Sequence, residues 1–375
     1  MGGDPFYFGY TSDDFHAHNI SRNKNWPLSM ITTSTHDTKR SEDVRMRINV
    51  LSEIPDEWEN NIRQWAEKNK NLKILVNNVY EPKPNTEYFI YQTLIGVWPD
   101  NPVSTESMGS FIERIWQYIL KSIREAKIYT NWIKPETNYE KAIKMFMNAI
   151  LTEGESNGFL ESFKAFQNKI SFLGKLNTLS ATVIKIGSPG VVDIYQGNET
   201  WNYCLVDPDN RGLVDFKLRK SLFNKLNKNS DPNVFTGDNI ENLKFYYTMQ
   251  GLLFRRRNKD LFIGGEYIPV EVKGPGENNI IAFIRRHGDD IALIVALRLF
   301  ANLITEKDFK MKSSIWKNTE LILSKEISNI SNLQNIFNNN VIPVESKNEN
   351  LIIKTSDLFI NTCVCILTNI TKKNL

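Results

Sequence analysis

Apolar residues recur at three- and four-residue spacing from about residue 44 to 186, which predicts a set of amphipathic helices. Four stripes carry this pattern, and each is interpreted as the core-facing side of a helix in a helical subdomain. The stripes are Trp58/Ile62/Trp65, Met108/Ile112/Ile115/Ile119/Ile123, Tyr139/Ile143/Phe146/Ile150 and Phe159/Phe163/Phe166/Ile170. Pro55 and the two acidic residues after it predict a helix start. Residues 1–28 are punctuated by Gly, Asn and Pro, which predicts loop and turn.

Two short apolar runs end abruptly in polar residues, as strands of a buried parallel sheet do. Ser29–Thr35 leads into a polar run that begins at His36, and Gly190–Tyr195 leads into another that begins at Gln196. After Leu261 the period becomes two, with turn signals between the runs. Strands are predicted at Tyr267–Val272, Ile280–Arg285, Ile291–Ala296, Glu320–Leu323, Leu351–Lys354 and Cys363–Leu367. They predict a β-sandwich of about 110 residues, and the Asn-rich run around 329–340 is interpreted as surface loop.

Composition excludes several classes of function. The 375 residues carry 46 basic and 43 acidic side chains, so the net charge of +3 predicts neither a nucleic-acid partner nor an anionic membrane. No apolar run reaches the length of a transmembrane helix, and no secretory signal pattern opens the sequence. Three cysteines make no disulfide framework. We therefore expect a soluble cytoplasmic protein.

The strongest chemical signal is the polar run at His36-Asp37-Thr38-Lys39-Arg40. A carboxylate at the C-terminal end of a buried parallel strand is where α/β barrels hold catalytic groups. His36 can donate a hydrogen bond to a hydroxyl group, and Lys39 and Arg40 add positive charge. The alternative interpretation is a loop whose charges are solvated or cap the next helix.

Two weaker constellations accompany it. A metal site would draw on imidazoles and carboxylates of the kinds that zinc accepts, although their spacing matches no closed motif: Asp13, Asp14, His16, His18, His36 and Asp37. The run Asp207-Pro-Asp-Asn-Arg211 could bind a polyol, but it is also an ordinary tight turn.

Blocks of sequence in a consistent order resemble the maltooligosyltrehalose synthases, which belong to the α-amylase clan (glycoside hydrolase family 13). The most specific block is Thr33–Arg45. The others are Gly2–Pro5 with Phe15-His16, Thr93–Pro99, Lys121–Lys127 with Trp132, Ser188–Glu199, and Leu205–Arg211 with Val214–Phe216. The resemblance spans roughly residues 1–300. One departure is Gly212-Leu213, where the family usually has Arg-Pro.

The resemblance implies an α/β plus all-β fold: the C-terminal portion of a (β/α)8 TIM barrel with a helical insertion, followed by a β-sandwich domain. The implied segments are 1–45 (end of the barrel, with strand seven and its catalytic loop), 46–180 (helical insertion), 181–262 (strand eight and the last barrel helix) and 263–375 (β-sandwich). The family carries its nucleophilic Asp and its acid/base Glu on earlier strands. This chain is therefore expected to be a C-terminal fragment or split half, whose partner is the missing N-terminal half of the barrel.

The implied activity is an isomerisation that needs neither cofactor nor metal. Intramolecular transglycosylation converts the reducing-end α-1,4 linkage of a maltooligosaccharide to α,α-1,1, which forms maltooligosyltrehalose in trehalose biosynthesis. Asp37 is implied to be the third catalytic carboxylate. Substrate contacts are implied for His36, Lys39, Arg40, Tyr195, Glu199 and Asp209. The chain alone is expected to be inactive.

Two alternatives stay open. The first is a non-catalytic α-glucan-binding remnant that keeps His36 and Asp37. The second is an unrelated metal-dependent hydrolase that uses His16, His18, His36 and Asp37.

Overall fold

The computed structural model combines helices with sheets and describes most of the chain. The described residues are 6, 9–100, 108–152, 158–228, 240–304, 313–316, 318–324, 327, 330–347, 349–359 and 362–370. The block Gly2–Pro5, used above in the resemblance, lies outside them. Within the described part, no helix has both the length and the apolar character needed to cross a membrane.

The chain divides into two compact units. The sheet unit comprises residues 1–34, 176–201 and 214–375, and the helical unit comprises residues 35–175 and 202–213. One border falls inside a long helix, Gly158–Gly187. The division into segments 1–45, 46–180, 181–262 and 263–375 stays a prediction.

The helices begin and end as follows, numbered in chain order: α1 (Ser12–Asn25), α2 (Glu42–Val50), α3 (Pro55–Asn69), α4 (Pro84–Val97), α5 (Met108–Ala126), α6 (Thr137–Leu151), α7 (Gly158–Gly187), α8 (Phe216–Lys228), α9 (Ile240–Arg257), α10 (Lys259–Ile263) and α11 (Thr355–Leu358). The four predicted stripes lie in α3, α5, α6 and α7, so these helix predictions are confirmed. Pro55 is the first residue of α3, as predicted, because its missing N–H costs nothing in the first turn.

The strands are more numerous than predicted: β1 (Met30–Ile31), β2 (Ile74–Val76), β3 (Val79–Glu81), β4 (Val191–Val192), β5 (Glu266–Pro269), β6 (Glu271–Lys273), β7 (Ile280–His287), β8 (Asp290–Leu297), β9 (Glu320–Ser324), β10 (Asn332–Asn335), β11 (Val341–Pro343), β12 (Glu345–Lys347), β13 (Asn350–Lys354) and β14 (Val364–Thr368). All six strand runs predicted after Leu261 contain strands. The first of them is divided at Val270 between two different sheets.

Aromatic side chains form much of the core of the helical unit. Trp65 is fully buried, and its ring contacts the rings of Trp58 and Phe166. The rings of Trp58 and Phe166 stack at 5.9 Å with an interplanar angle of 13°. These residues come from two of the predicted stripes, so the apolar period fixed both the helices and the faces that they bury.

Two antiparallel sheets form the C-terminal part of the sheet unit. One has six strands in the order β11-β10-β14-β8-β7-β5, and the other has four in the order β12-β13-β9-β6. Cys363 and Cys365 on and beside β14 are both buried. A separate parallel pair joins β1 to β4, with Met30 opposite Val191 and Ile31 opposite Val192. This pair carries the two strands that were predicted to end in polar residues.

Three sequence interpretations were wrong in detail. Residues 1–28 are not all loop and turn, because α1 forms there behind a capping box in which Thr11 and Asp14 bond reciprocally. The region 44–186 is not entirely helical, because β2 and β3 form a hairpin around Asn77 and Asn78, both of which have positive φ. The Asn-rich run contains a strand, β10, whose Leu333 and Asn335 are buried.

Candidate functional site

A tight turn carries the His36 and Asp37 side chains in the helical unit. The main-chain N–H of Thr38 donates to the carbonyl of Thr35 at 3.2 Å. The hydroxyl of Thr38 accepts from the main-chain N–H of Thr35 at 2.8 Å. The two bonds close the turn from both sides, so the residues between them have little backbone freedom.

The two central side chains of this turn contact each other and face solvent. His36 Nε2 lies 3.3 Å from Asp37 Oδ2, and the side chains are 59% and 84% exposed. An exposed imidazole beside an exposed carboxylate offers both donor and acceptor atoms to a ligand rich in hydroxyl groups.

Lys39 and Arg40 follow the turn but differ in how firmly they are held. Lys39 is exposed, and its Nζ lies 3.5 Å from Glu125 Oε2. Arg40 is half-buried and donates to Gln92 Oε1 at 2.8 Å and to Thr93 Oγ1 at 3.3 Å on α4. Lys39 thus keeps its charge available to a ligand, whereas Arg40 ties the loop to α4.

Residues 202–211 lie alongside the loop that carries His36 and Asp37. Ser41 N–H donates to the carbonyl of Cys204 at 3.0 Å, and Arg40 forms an antiparallel bridge with Leu205. The Asp43 carboxylate accepts from Asn202 N–H at 2.7 Å. The two segments are far apart in sequence, yet the structure brings residues 40–43 next to residues 202–205.

The carboxylate of Asp209 is engaged within the protein. Its Oδ2 accepts from Leu205 N–H at 2.7 Å and lies 3.1 Å from Arg114 Nη1. Its side chain is 20% exposed. Asp209 therefore shapes the segment next to His36 and Asp37, and its predicted contact with substrate stays a prediction.

Tyr195 and Glu199 belong to the sheet unit, after β4. Tyr195 is half-buried, and its carbonyl accepts from Asn198 N–H at 2.9 Å. Glu199 forms an ion pair with Arg219, which also donates to Thr200 Oγ1 at 3.0 Å. Their predicted roles in substrate binding stay predictions.

The histidines of the metal hypothesis have partners within the protein. His16 Nδ1 lies 2.8 Å from the Tyr267 hydroxyl, and burial lowers the pKa of His16. His18 Nε2 lies 2.8 Å from Arg22 Nη2. In the described part of the chain, no three His, Cys, Asp or Glu side chains form a group that could hold a metal ion.

Sequence reasoning missed the residues that support this site from α5. Arg114 contacts Asp209, and Lys121 Nζ donates to the carbonyl of Asp207 at 2.8 Å. Lys121 lies within one of the blocks of resemblance, and this position could have marked it as a candidate site residue. Arg114 occupies a polar position between the apolar residues of its helix, and nothing in the pattern distinguishes it from a solvated side chain.

Comparison with known proteins identifies relatives along most of the chain. No family model matches it. A Mycobacterium tuberculosis protein whose name assigns it as a maltooligosyl trehalose synthase is 35% identical over 297 residues, which are 79% of this chain and 34% of that protein. The maltooligosyltrehalose synthase of Arthrobacter ramosus has a TM-score of 0.77 at 28% identity, over 98% of this chain and 42% of that one. The Sulfolobus tokodaii protein of the same family name has a TM-score of 0.69 at 29% identity, over 98% and 42%.

These relatives are trehalose-forming enzymes by name, an intramolecular transferase class. The resemblance to the maltooligosyltrehalose synthases that was predicted from the sequence is confirmed. The chain spans about a third of the length of the curated relatives that it matches and about two fifths of the solved structures. This coverage fits a C-terminal half.

Proposed function

We propose that this chain supplies part of the substrate site of a maltooligosyltrehalose-forming enzyme that acts in the cytoplasm. In this proposal, β1 and β4 are strands seven and eight of a (β/α)8 barrel, α2–α7 form its helical insertion, and the two antiparallel sheets are the layers of a β-sandwich. The observation that carries the proposal is the exposed His36–Asp37 pair, which follows one strand of a parallel pair. The 35% identity to the Mycobacterium tuberculosis protein supports it.

In the proposed reaction, Asp37 is neither the nucleophile nor the proton donor. A retaining mechanism uses one carboxylate to attack the anomeric carbon and a second group to protonate the leaving oxygen. Asp37 accepts hydrogen bonds from sugar hydroxyls, which strengthen as the ring distorts toward the oxocarbenium-like transition state. His36 binds the same sugar.

The remaining contacts orient the glucose that is released at the reducing end. Lys39 is exposed, and its ion pair with Glu125 is long and weak, so its ammonium group can donate a hydrogen bond to that glucose. The released glucose turns within the site, and the oxygen of its anomeric hydroxyl attacks the anomeric carbon of the maltooligosyl group that the nucleophile holds. The bond formed to that oxygen replaces the bond broken at the α-1,4 linkage, so the reaction is an isomerisation. Tyr195, Glu199, Arg40 and Asp209 are proposed as further contacts of the substrate site.

The nucleophile and the acid/base group come, in this proposal, from a preceding part of the barrel, in the same or a separate chain. The parallel pair has exposed apolar side chains on and near it: Trp26, Leu28, Met30 and Val191. Apolar side chains grouped in this way mark a surface that other polypeptide covers. They support a contact with that preceding part.

A non-catalytic α-glucan-binding protein is the second candidate, because the chain spans only about a third of its curated relatives. One chimera separates the two candidates. This chain replaces the region of the Arthrobacter ramosus synthase to which it is similar, and the chimera is incubated with maltopentaose. We expect reducing ends to disappear without release of glucose, and an α,α-1,1 anomeric signal to appear in the NMR spectrum.

Asp37→Asn in the chimera is expected to lower the rate at least about a hundredfold, as loss of a transition-state hydrogen bond does. The matched control is Asp289→Asn, an exposed carboxylate in the β7–β8 turn, which should leave the rate unchanged. An inactive, folded chimera, combined with Asp37-dependent binding of maltopentaose by the 375-residue chain, favours the binding protein. Absence of both binding and activity contradicts both candidates.

A further inference from the structure

Asn210 is a buried amide next to the exposed pair. Its side chain is only 8% exposed. Its Nδ2 donates to the main-chain carbonyl of His36 at 2.8 Å and lies 3.4 Å from the carbonyl of Thr35. Both carbonyls belong to the turn that ends at Thr38, so one amide group holds the backbone on the N-terminal side of Asp37.

The segment that carries Asn210 is itself anchored. Asp209 bonds to Leu205 N–H and lies 3.1 Å from Arg114, while Lys121 donates to the carbonyl of Asp207. Arg114 and Lys121 both lie on α5, seven positions or about two helical turns apart, so they share one face of the helix. The position of the amide is therefore fixed by a helix rather than by a free loop.

We propose that Asn210 is a positioning residue, which sets the orientation of the His36 and Asp37 side chains by holding the backbone carbonyls of Thr35 and His36. The inference rests on the proposed function insofar as these two side chains bind a maltooligosaccharide. Because His36 and Asp37 are largely exposed, packing does little to fix them. A buried amide donor to the backbone beneath them supplies that restraint.

Replacement of the amide by a carboxylate tests this restraint with little change in size. Asn210→Asp places a carboxylate oxygen against two carbonyl oxygens, which repel it, so the turn should open. Asn210→Ala removes the donor without adding a charge. The matched control is Asn61→Asp: Asn61 also donates from Nδ2 to a main-chain carbonyl, that of Glu57 at 2.9 Å, within α3.

Two measurements on the 375-residue chain test the inference. The protein is labelled at histidine Cε1, and its four histidine resonances are followed by NMR, with His36→Gln to assign the signal of His36. The affinity for maltopentaose is measured by calorimetry. We expect Asn210→Asp and Asn210→Ala to move the His36 resonance and to weaken binding about tenfold, the effect of one hydrogen bond. Asn61→Asp should do neither.

The two readouts separate this inference from the proposed function. If Asp37→Asn weakens binding but both Asn210 variants bind like the parent with an unmoved His36 resonance, the positioning role is overturned. If the parent chain does not bind maltopentaose and the chimera is inactive as well, the proposed function fails, and the His36 resonance alone decides whether Asn210 holds the turn. A purely structural role would lower the unfolding midpoint and leave that resonance in place. Should Asn210→Asp not fold, Asn210→Ser, which keeps a donor, is expected to move the resonance by less than Asn210→Ala.

Discussion

The guanidinium carbon of Arg47 lies 3.5 Å from the centroid of the Tyr203 ring. Arg47 is 1% exposed, and its Nη2 lies 2.5 Å from Asp100 and 2.7 Å from the Ser171 hydroxyl. The Tyr203 hydroxyl donates to the same carboxylate at 2.8 Å. One buried cation thus connects α2, α7 and Tyr203. Tyr203 directly follows Asn202, which contacts the segment after Asp37.

Arg47→Met should be among the most destabilising substitutions in the helical unit. It leaves the partly buried Asp100 with Lys175 as its remaining cation at 3.1 Å. Breaking a buried pair by removing one partner costs about 3–5 kcal/mol. Urea unfolding followed by circular dichroism measures the loss. Arg63→Met is the control, because Arg63 forms an exposed pair with Glu59, and such pairs contribute less than about 1 kcal/mol. Equal losses in the two variants would contradict the buried role of Arg47.

Stability should fall as the solution is acidified below about pH 4. Burial raises the pKa of Asp100, but Arg47, Lys175, Ser171 and Tyr203 together bring it below its ordinary value of 3.8. Hydrogen bonds from Arg124 and Thr130 lower the pKa of Glu140 below 4.5, against the opposing effect of burial. A carboxyl group with a lowered pKa in the folded state stabilises the protein above its unfolded pKa, and this contribution is lost as the pH falls through the folded value.

The measurement is the free energy of unfolding between pH 3 and pH 6. The double variant Asp100→Asn/Glu140→Gln should be less stable at pH 6 and lose less stability on acidification than the parent. Glu59→Gln, which removes an exposed carboxylate, should keep the slope of the parent. A double variant with the slope of the parent would refute this assignment.

Gly174→Ala should destabilise the protein by about 1–3 kcal/mol, although alanine favours helices more than glycine does. A Cβ at Gly174 would lie 2.6 Å from Arg47 Cγ and 2.9 Å from Arg47 Cα, so α2 and α7 would have to move apart. At Gly158, the first residue of the same helix, the nearest atom would be Lys68 Nζ at 3.7 Å. Thermal unfolding should show a lower midpoint for Gly174→Ala than for Gly158→Ala, and the reverse order would be evidence against close packing here.

The three cysteines should be unreactive in the folded protein. All are free, and burial raises the pKa of Cys204 and Cys363 to about 12 and that of Cys365 further. A thiol reacts as its thiolate, which is scarce at pH 8 when the pKa is this high. Ellman's reagent at pH 8 should release almost no colour from the native protein and three equivalents in 8 M urea. Rapid labelling of the native protein would contradict the burial of these groups.

The sequence predicted the elements that an apolar period defines. Trp58, Ile62 and Trp65 have the helical spacing, and α3 follows it. Ile280–Arg285 and Ile291–Ala296 were expected as strands, and β7 and β8 contain them. The helix α1 went undetected because it is polar and has no apolar stripe; its start depends on the Thr11–Asp14 capping box. A short capping signal of this kind is easily missed when the surrounding Gly, Asn and Pro residues indicate loop and turn.

The site was predictable only in its exposed part. His36 and Asp37 were found because they follow an apolar run and lie in a block of resemblance. The hydrogen bond from Asn210 to His36 could not be predicted. It joins residues 174 positions apart, and neither segment has a hydrophobic period that would indicate it. The substrate contact implied for Asp209 stays a prediction, and nothing in the sequence indicated that its carboxylate also bonds to Leu205 and Arg114. Long-range polar contacts of this kind become visible only when the fold brings the segments together.

That same separation sets an order of events during synthesis. A ribosome adds about 5–20 residues per second, so the 174 positions from His36 to Asn210 take roughly 9–35 s to produce. Until then, the turn that holds Asp37 has emerged without the amide that fixes it. The site is therefore completed only after the helices of its own unit have been made.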